Sequence, residues 1–492
     1  MLLLWQARSL AALIAVGRPR VPATCSPVMS AAAAATAPSW ETLRSAAHAT
    51  PTGARLLSEL SDRERGDGPA HTDAKLRLFG ASPESVRVTL YRDTAAWCPY
   101  CQKVWLLLEE KRIPYRIEKI NMRSYGDKPS DFLRRVPGGL LPALELDGRF
   151  MTDSLPIMAT LDAAFPQEPL MIPPEGSAAR QEAESLLRLE RELFSAWCRL
   201  TFSPGKGIFD AHEKNFLETL GRFEQALGKG GQKRDGESGA DGSSPWLLGG
   251  ESPTLVDLQY VSHVERMVAS VLYWKGLELR DNPRFPNLER WLSAFERRPS
   301  YVATKSDWYT HVQDIPPQYG PGYAVKEAAH LAAAIDGGSW HLPLTHLEHL
   351  VEKISPLEDV GETGARHEAA FKLSANHANV VRFAARGSGT PGRPQFQAPL
   401  ADPNAVPDES VIDAVDVALR CVTEALLNGA DAAEASAQER LGGYSPAEAE
   451  KLTRCLHYLR DRVGVPRDMG VAAAMHLRGT LNWAAALAKP SK

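Results

Sequence analysis

The segment Trp97 to Cys101 reads W-C-P-Y-C. Cysteines three residues apart on a helix lie one turn from each other, so the second thiol can attack a mixed disulfide formed at the first. The segment falls between a strand-like run, Val86 to Tyr91 (V-R-V-T-L-Y), and an amphipathic stretch, Gln102 to Lys111. Cys98 therefore stands where a strand gives way to a helix N-terminus, whose unpaired N–H groups and positive dipole end favour a thiolate. Pro99 suits the first helical turn, where its missing N–H costs nothing. The other common use of C-x-x-C is half a zinc site, but no second C-x-x-C follows.

Two further dipeptides bear on the same chemistry. Leu141-Pro142 opens the run Leu140 to Leu146; taken alone, a proline after an extended residue marks a strand edge. Asp153-Ser154 opens a helix with Leu155, Met158, Ala159 and Leu161 as its apolar face, an ordinary N-cap whose free N–H groups and hydroxyl can also hold a carboxylate.

These residues need elements to position them. The strand before Cys98 and its helix are followed by a second strand at Tyr115 to Asn121, a polar segment with Lys128, and Leu140 to Leu146 ending in the turn dipeptide Asp147-Gly148. The order is β-α-β then β-β-α, a thioredoxin-like α/β domain over 86–166. From 175 to 310 the pattern is helical, with Leu186, Leu189, Leu193, Phe194 and Trp197 spaced as one buried face and Thr254 and Asp257 forming a capping box. Within it, 228–245 contains no large apolar residue and reads as a solvated loop. Residues 315–492 open on I-P-P-Q-Y-G-P-G-Y, a linker pattern, and continue as an all-α extension divided by a second linker, Gly387 to Pro407. Asp408 and Ser445-Pro446 mark helix starts, and Val471 to Leu487 closes the chain.

The 492 residues have the composition of ordinary globular protein, and 56 basic against 60 acidic side chains, a formal charge of -4, give no field for nucleic acid or anionic membrane. No run reaches the length of a membrane span. Six scattered cysteines suit a reducing compartment; Cys198, Cys421 and Cys455 lie on apolar helical faces and read as core. Residues 1–48 carry arginines, an alanine run and Glu41 as the only acid, the composition of an organellar transit peptide, with 49–85 as an N-terminal extension. His341, His346, His349, His367 and His377 are numerous in the extension, but carboxylate partners at helical spacing are not laid out clearly and histidines on helix surfaces are commonplace, so no metal is expected.

In combination, C-P-Y-C, L-L-P-A-L, D-S-L and T-L-V-D resemble the glutathione transferase superfamily over roughly Val86 to Tyr309. The resemblance implies an all-α transferase C-terminal domain behind the thioredoxin-like one, and glutathione as co-substrate. Pro142 would be cis, with the backbone of Leu141 pairing with the cysteinyl part of glutathione. Asp153 and Ser154 would hold the γ-glutamyl end, Lys128 would reach the glycyl carboxylate, and Thr254 and Asp257 would be structural. A cysteine at the position of Cys98 is similar to the omega, lambda, dehydroascorbate reductase and glutaredoxin-like branch, implying thiol transfer, deglutathionylation or reduction of glutathionyl conjugates, with Cys98 and Cys101 catalytic. The second substrate, a small electrophile, disulfide or glutathionylated molecule, would enter a mouth near Trp197 and Phe202. Dimerisation is the family habit, although some cysteine-type branches are monomeric. P-P-Q-Y-G-P-G, V-P-D-E-S-V and Y-L-R-D-R-V-G-V-P-R-D-M resemble the long C-terminal region of the iota class of photosynthetic organisms, which makes the chloroplast the expected location, with the mitochondrion as alternative. Conjugation of electrophiles and a non-catalytic plastid scaffold are the competing functions.

Overall fold

In the computed structural model, which describes residues 37–167, 169–203, 206–232, 244–344, 352–393 and 399–489, the chain forms two units. One comprises 59–336 with 351–359, the other 1–58 with 337–350 and 360–492.

The first unit is organised by the strand that leads to Cys98. Five strands, β1 (Leu76–Arg77), β2 (Val88–Asp93), β3 (Tyr115–Ile120), β4 (Ala143–Leu146) and β5 (Arg149–Thr152), form one sheet in the order β1-β3-β2-β4-β5. The central strand β2 runs parallel to β3 and antiparallel to β4, as a β-α-β unit followed by a hairpin requires. Two-residue β1, antiparallel to β3, is too short to leave a periodic pattern. It is anchored by Arg77, whose buried guanidinium makes two bonds to Glu109 at 2.9 and 3.0 Å.

The helix Pro99–Glu110 differs from the amphipathic reading, because Gln102 and Lys103 are buried along with Val104 and Leu106 to Leu108. Its polar side meets the helical part of the same unit, so the polar residues are paired internally rather than hydrated. In the helix Ser154–Ala164, Leu155 is exposed and Ile157 takes its expected place in the core beside Met158 and Leu161.

Long helices at Ala178–Thr201, Lys206–Gln232 and Leu255–Lys275 make up the all-α part. The capping box at Thr254 is present, and the buried Asp257 carboxylate also accepts from Leu247 N and Trp291 Nε1, each at 3.0 Å. Burial raises this carboxyl's pKa against the opposing pull of those donors, which marks Asp257 as structural. Residues 228–232, expected in the solvated loop, continue the helix to Gln232, and the missing side chain of Gly230 lets it pack directly on the backbone of Trp246 and Leu247. Positions 233–243 of that loop lie outside the described residues.

The domain boundary expected at Ile315 falls inside a helix. Trp308–Tyr319 is continuous through Pro316 and Pro317 and buries Val312 and Ile315, and the helix Ala329–Asp336 also belongs to the first unit. The prolines sit near the helix's C-terminal end, and burial of the preceding apolar residues holds the turn together.

The second unit is all-α, with helices Gly361–Ala375, His377–Ala384, Ile412–Asn428, Ala430–Leu441, Pro446–Arg460 and Val471–Leu487 around Val415, Leu419, Val422, Leu452, Leu456 and Leu481. Ser445 and Glu448 form a capping box, and Asp408 accepts from Ser410 N. Val465, Val471 and Met475 complete this core. The second linker is partly ordered by a bridge between Thr390 and Val406, and 394–398 lie outside the described residues.

Residues 40–48, expected to be the end of a transit peptide, instead form the helix Trp40–Ala49 of this unit, capped by Ser39. Leu43 and Ala47 are buried, Ala47 packs with Leu56 and Phe371, and Trp40 donates to Asp416 at 2.7 Å while stacking on His377. The arginine-bearing, acid-poor composition that suggested a leader does not report this apolar stripe. Residues 1–36, the rest of the expected targeting segment including Cys25, lie outside the described residues. A chain starting at residue 49 is therefore expected to lose about 2–4 kcal/mol from this unit relative to one starting at residue 37, through lost burial of Trp40, Leu43 and Ala47. Paired urea melts of the two chains check this.

Candidate functional site

The sheet places every candidate residue at one end. Asp93 and Ile120 close paired strands β2 and β3, so the segments bearing Cys98 and Lys128 leave from the same edge. Ala143, the first residue of β4, pairs with both Tyr91 and Thr152, so Leu141-Pro142 enters and Asp153-Ser154 leaves at that edge too. Sequence separations of up to 56 residues are thus collapsed by strand register.

Cys98 is half-buried at the N-cap of the helix Pro99–Glu110, with Sγ 3.9 Å from the carbonyl of Leu141. The Leu141-Pro142 peptide is cis. Asp153 is exposed at φ 68°, with its side chain making no cap bond, and so is free of the ordinary N-cap role. Lys128 donates to the carbonyl of Asn121, and its stem lies against Gly139, where a Cβ would come within 3.2 Å. Burial lowers the Lys128 pKa, opposed by the nearby Cys101, Cys98 and Asp93.

Cys101 is 1% exposed, and burial pushes its thiol well up, helped by Cys98 beside it. Of the two thiols, Cys98 is the accessible one and Cys101 the buried one. A carboxylate oxygen of Asp93 and the two sulfurs lie within 4.8 Å of one another, and Asp93 Oδ2 accepts from Trp97 N at 2.6 Å. Cys421 and Cys455 are buried as expected while Cys198 is only half-buried, and burial raises all three thiols, Cys198 and Cys455 to about 11.

Below Cys98 lies a buried polar floor absent from the sequence reading. Trp97 Nε1 donates to His311 Nδ1 at 3.1 Å, and His311 Nε2 donates to Glu265 at 2.8 Å. Arg266 lies 4.7 Å over the Trp97 ring, donates to the Trp97 carbonyl and bonds Gln102 at 3.1 Å. Beside it, Lys103 bonds Gln259 at 2.8 Å, and the His263 Nδ1–H donates to Glu190 at 2.6 Å. Burial brings Lys103 down to about 7. The only sequence signal was a Gln-Lys pair in a helix too apolar to expose them.

The expected second-substrate mouth is corrected in part. Trp197 is fully buried and its indole bonds Ser270 at 2.8 Å, so it supports the wall from behind. Phe202 is half-buried and stacks on Tyr319 with centroids 6.0 Å apart; Phe194 and Trp97 also meet Tyr319. Tyr319 lay beyond the expected domain boundary and was missed for that reason. Of the extension's histidines, His367 and His377 lie beside backbone carbonyls, His341 is exposed, and His346 and His349 lie outside the described residues. Among the described residues no helix is long and apolar enough to cross a membrane.

The buried histidines give a pH signature. Burial lowers His263 to about 3, despite Glu190, and lowers His311 as well. The unfolded chain takes up these protons first, so the stability is complete above the ordinary histidine value and is lost as pH falls from about 6.5 through 3. Glu190 and Glu265, brought to about 2 by their histidine and cation partners against burial, add loss below the ordinary carboxylate value. Unfolding free energies from urea melts of the full chain are expected to drop between pH 6.5 and 4 by roughly 1 kcal/mol per pH unit or more, and a flat profile over that interval would contradict the buried neutral histidines.

Comparison with known proteins gives the same two parts. Residues 97–164 match the family model described as the N-terminal domain of glutathione S-transferase, and residues 206–294 match its C-terminal domain. "Glutathione S-transferase DHAR2" of Arabidopsis thaliana is 28% identical over 44% of this chain and 86% of that protein. "Protein IN2-1 homolog A" of Oryza sativa subsp. japonica is 29% identical over 43% of this chain and 78% of its own length. The crystal structure of glutathione transferase Omega 3C from Trametes versicolor, 23% identical, covers 55% of this chain and 97% of that one with a TM-score of 0.39.

Proposed function

We propose, from the match of residues 97–164 and 206–294 to the N- and C-terminal domains of glutathione S-transferase, that the enzyme is a glutathione-dependent thiol transferase or reductase working through Cys98. The observation that carries this reading is a half-buried cysteine at a helix N-terminus, 3.9 Å from the Leu141 carbonyl, with a second, protected thiol one turn behind it. Cys98 thiolate attacks the glutathionyl sulfur of a mixed disulfide or glutathionylated substrate; the substrate thiolate leaves with the bond's electron pair, and glutathione joins Cys98. A second glutathione, or Cys101, releases it. Leu141 and Pro142 present extended backbone to the cysteinyl part of glutathione, Asp153 and Ser154 take the γ-glutamyl end, and Lys128 the glycyl carboxylate. Phe202, Phe194 and Tyr319 face the second substrate. The reading uses glutathione as co-substrate and routes no step through a metal.

A plastid location is part of the same proposal, supported by the leader-like composition and by a relative, "Glutathione S-transferase DHAR3, chloroplastic" of Arabidopsis thaliana. The same proposal puts cleavage before Ser39, a position supported by the helix Trp40–Ala49 and its Ser39 cap. Assignment of the second unit to the iota-class extension rests on the sequence phrases named above.

Glutathione-dependent reduction of a small glutathionyl mixed disulfide by the full chain tests the reading. Turnover supports it. Binding of glutathione without turnover moves conjugation or the plastid scaffold ahead, and addition of glutathione to an aromatic electrophile separates those two.

A further inference from the structure

We infer that Asp93 is the proton acceptor for Cys101 when that thiol resolves the mixed disulfide at Cys98, so that the enzyme is built for a dithiol route. The inference rests on the thiol-transfer reading above and adds to it which thiol releases glutathione and which group takes its proton.

Cys101 is 1% exposed and sits beneath Cys98, where no bulk base reaches it. Burial holds it protonated at neutral pH, so it is a poor nucleophile unless a local group removes the proton during attack. Asp93, itself 1% exposed, brings a carboxylate oxygen within 4.8 Å of both sulfurs. Two hydrogen bonds through one water span about that distance, which is the reach of a general base acting through a single water. The carboxylate is fixed by the 2.6 Å bond from Trp97 N, the residue before the nucleophile, so base and nucleophile are held by one loop.

The charges facing the pair are few. Arg92, on the same strand, is 1% exposed over the Trp105 ring, donates to the Asp93 carbonyl at 2.8 Å and lies near Tyr115 and Asp73. Lys128 faces Cys101, Cys98 and Asp93 from the segment after β3. A structural carboxylate cap for Trp97 N alone would not require placement against both sulfurs.

The step balances. The proton of Cys101 passes to the Asp93 carboxylate as Cys101 sulfur attacks Cys98 sulfur. The Cys98–Cys101 bond forms, the bond from Cys98 to glutathione breaks, and its electron pair leaves with the glutathione thiolate, which can then receive the proton. Two further glutathione molecules reduce the protein disulfide and become glutathione disulfide.

The test follows ring closure in the full chain. Cys98 is loaded with glutathione disulfide, and loss of glutathione mass from the Cys98 peptide is read after acid quench from pH 5.5 to 10. The wild-type closure rate is expected to be nearly level from pH 6 to 8. Asp93→Asn is expected to slow closure at pH 7 at least tenfold, with the rate then rising about tenfold per pH unit toward the Cys101 value, and Asp93→Glu should restore part of it. Loading of Cys98 in the same samples reports on fold and on the transferase reading separately. A wild-type rate that already climbs tenfold per unit from pH 6 overturns the inference even where Asp93→Asn does not fold. So does an Asp93→Asn loss no larger for closure than for loading, or a wild-type protein that loads but never closes, an outcome that leaves the transferase reading standing.

Discussion

Replacing Cys98 by serine is expected to lower kcat/KM for reduction of a glutathionyl mixed disulfide by about a thousandfold or more while glutathione still binds. The argument is chemical. Serine cannot form the sulfur–sulfur bond through which the transfer runs, and an alcohol is a far weaker acid and nucleophile than a thiol at neutral pH. The substitution also isolates chemistry from folding. Cys98 is the N-cap of the helix Pro99–Glu110 without a side-chain cap bond, and serine is a favoured N-cap residue, so the variant should unfold at the wild-type denaturant concentration or slightly above it. Steady-state assays beside a glutathione-binding titration and a urea melt check all three parts. Retention of more than a few per cent of the activity would move the nucleophile elsewhere. A variant that loses reduction but gains addition of glutathione to electrophiles would show that the binding residues serve a conjugating site once the thiol is gone.

The placement of Cys98 at a strand-to-helix turn was legible because its signal is local. The strand, the C-P-Y-C turn and the helix are contiguous, and Asp147-Gly148 fixes the hairpin that brings Leu141 and Asp153 to the same edge. What was not legible depends on partners far along the chain. Gln102 and Lys103 look like the wet face of an amphipathic helix until Glu265, Gln259 and Thr304 are packed on them. Trp197 fits a substrate wall by type and spacing, yet Ser270 takes its indole N–H and the ring faces inward. Tyr319 was hidden by a proline pair that reads as a linker, because the pattern of breakers is local and the burial of Ile315 is not. Asp93 ends a strand with nothing in its neighbours to announce that its carboxylate meets two sulfurs five and eight residues later. The helix Trp40–Ala49 was masked by composition: alanines and an arginine look alike in a leader and in a helix that buries Leu43 and Ala47.

The polar floor carries the second large effect. Arg266 is 1% exposed and is spent on the nucleophile's own loop: it donates to the Trp97 carbonyl, lies over the Trp97 ring, and bonds Gln102, which in turn donates to Glu265 at 3.0 Å. Glu265 also accepts from Ser306 N at 2.9 Å and from His311. Removing the guanidinium leaves the buried Glu265 carboxylate short of a neighbouring cation and the Trp97 carbonyl without that donor, and breaking such an arrangement from one side costs about 3–5 kcal/mol. Arg266→Ala is therefore expected to unfold at a markedly lower urea concentration. It should also lower kcat/KM at temperatures where it remains folded, because the Trp97–Cys98 peptide loses the contact that aims it. Arg266→Lys restores a charge but not the fork that reaches Trp97 and Gln102 together, so it should recover less than half of the stability. Urea melts followed by tryptophan fluorescence, paired with the mixed-disulfide assay on the same samples, separate the two effects. A loss under 1 kcal/mol with normal activity would mean that the strand and the Asp93 bond to Trp97 N are enough to hold Cys98 in place, and that the cation beneath it serves only to neutralise Glu265.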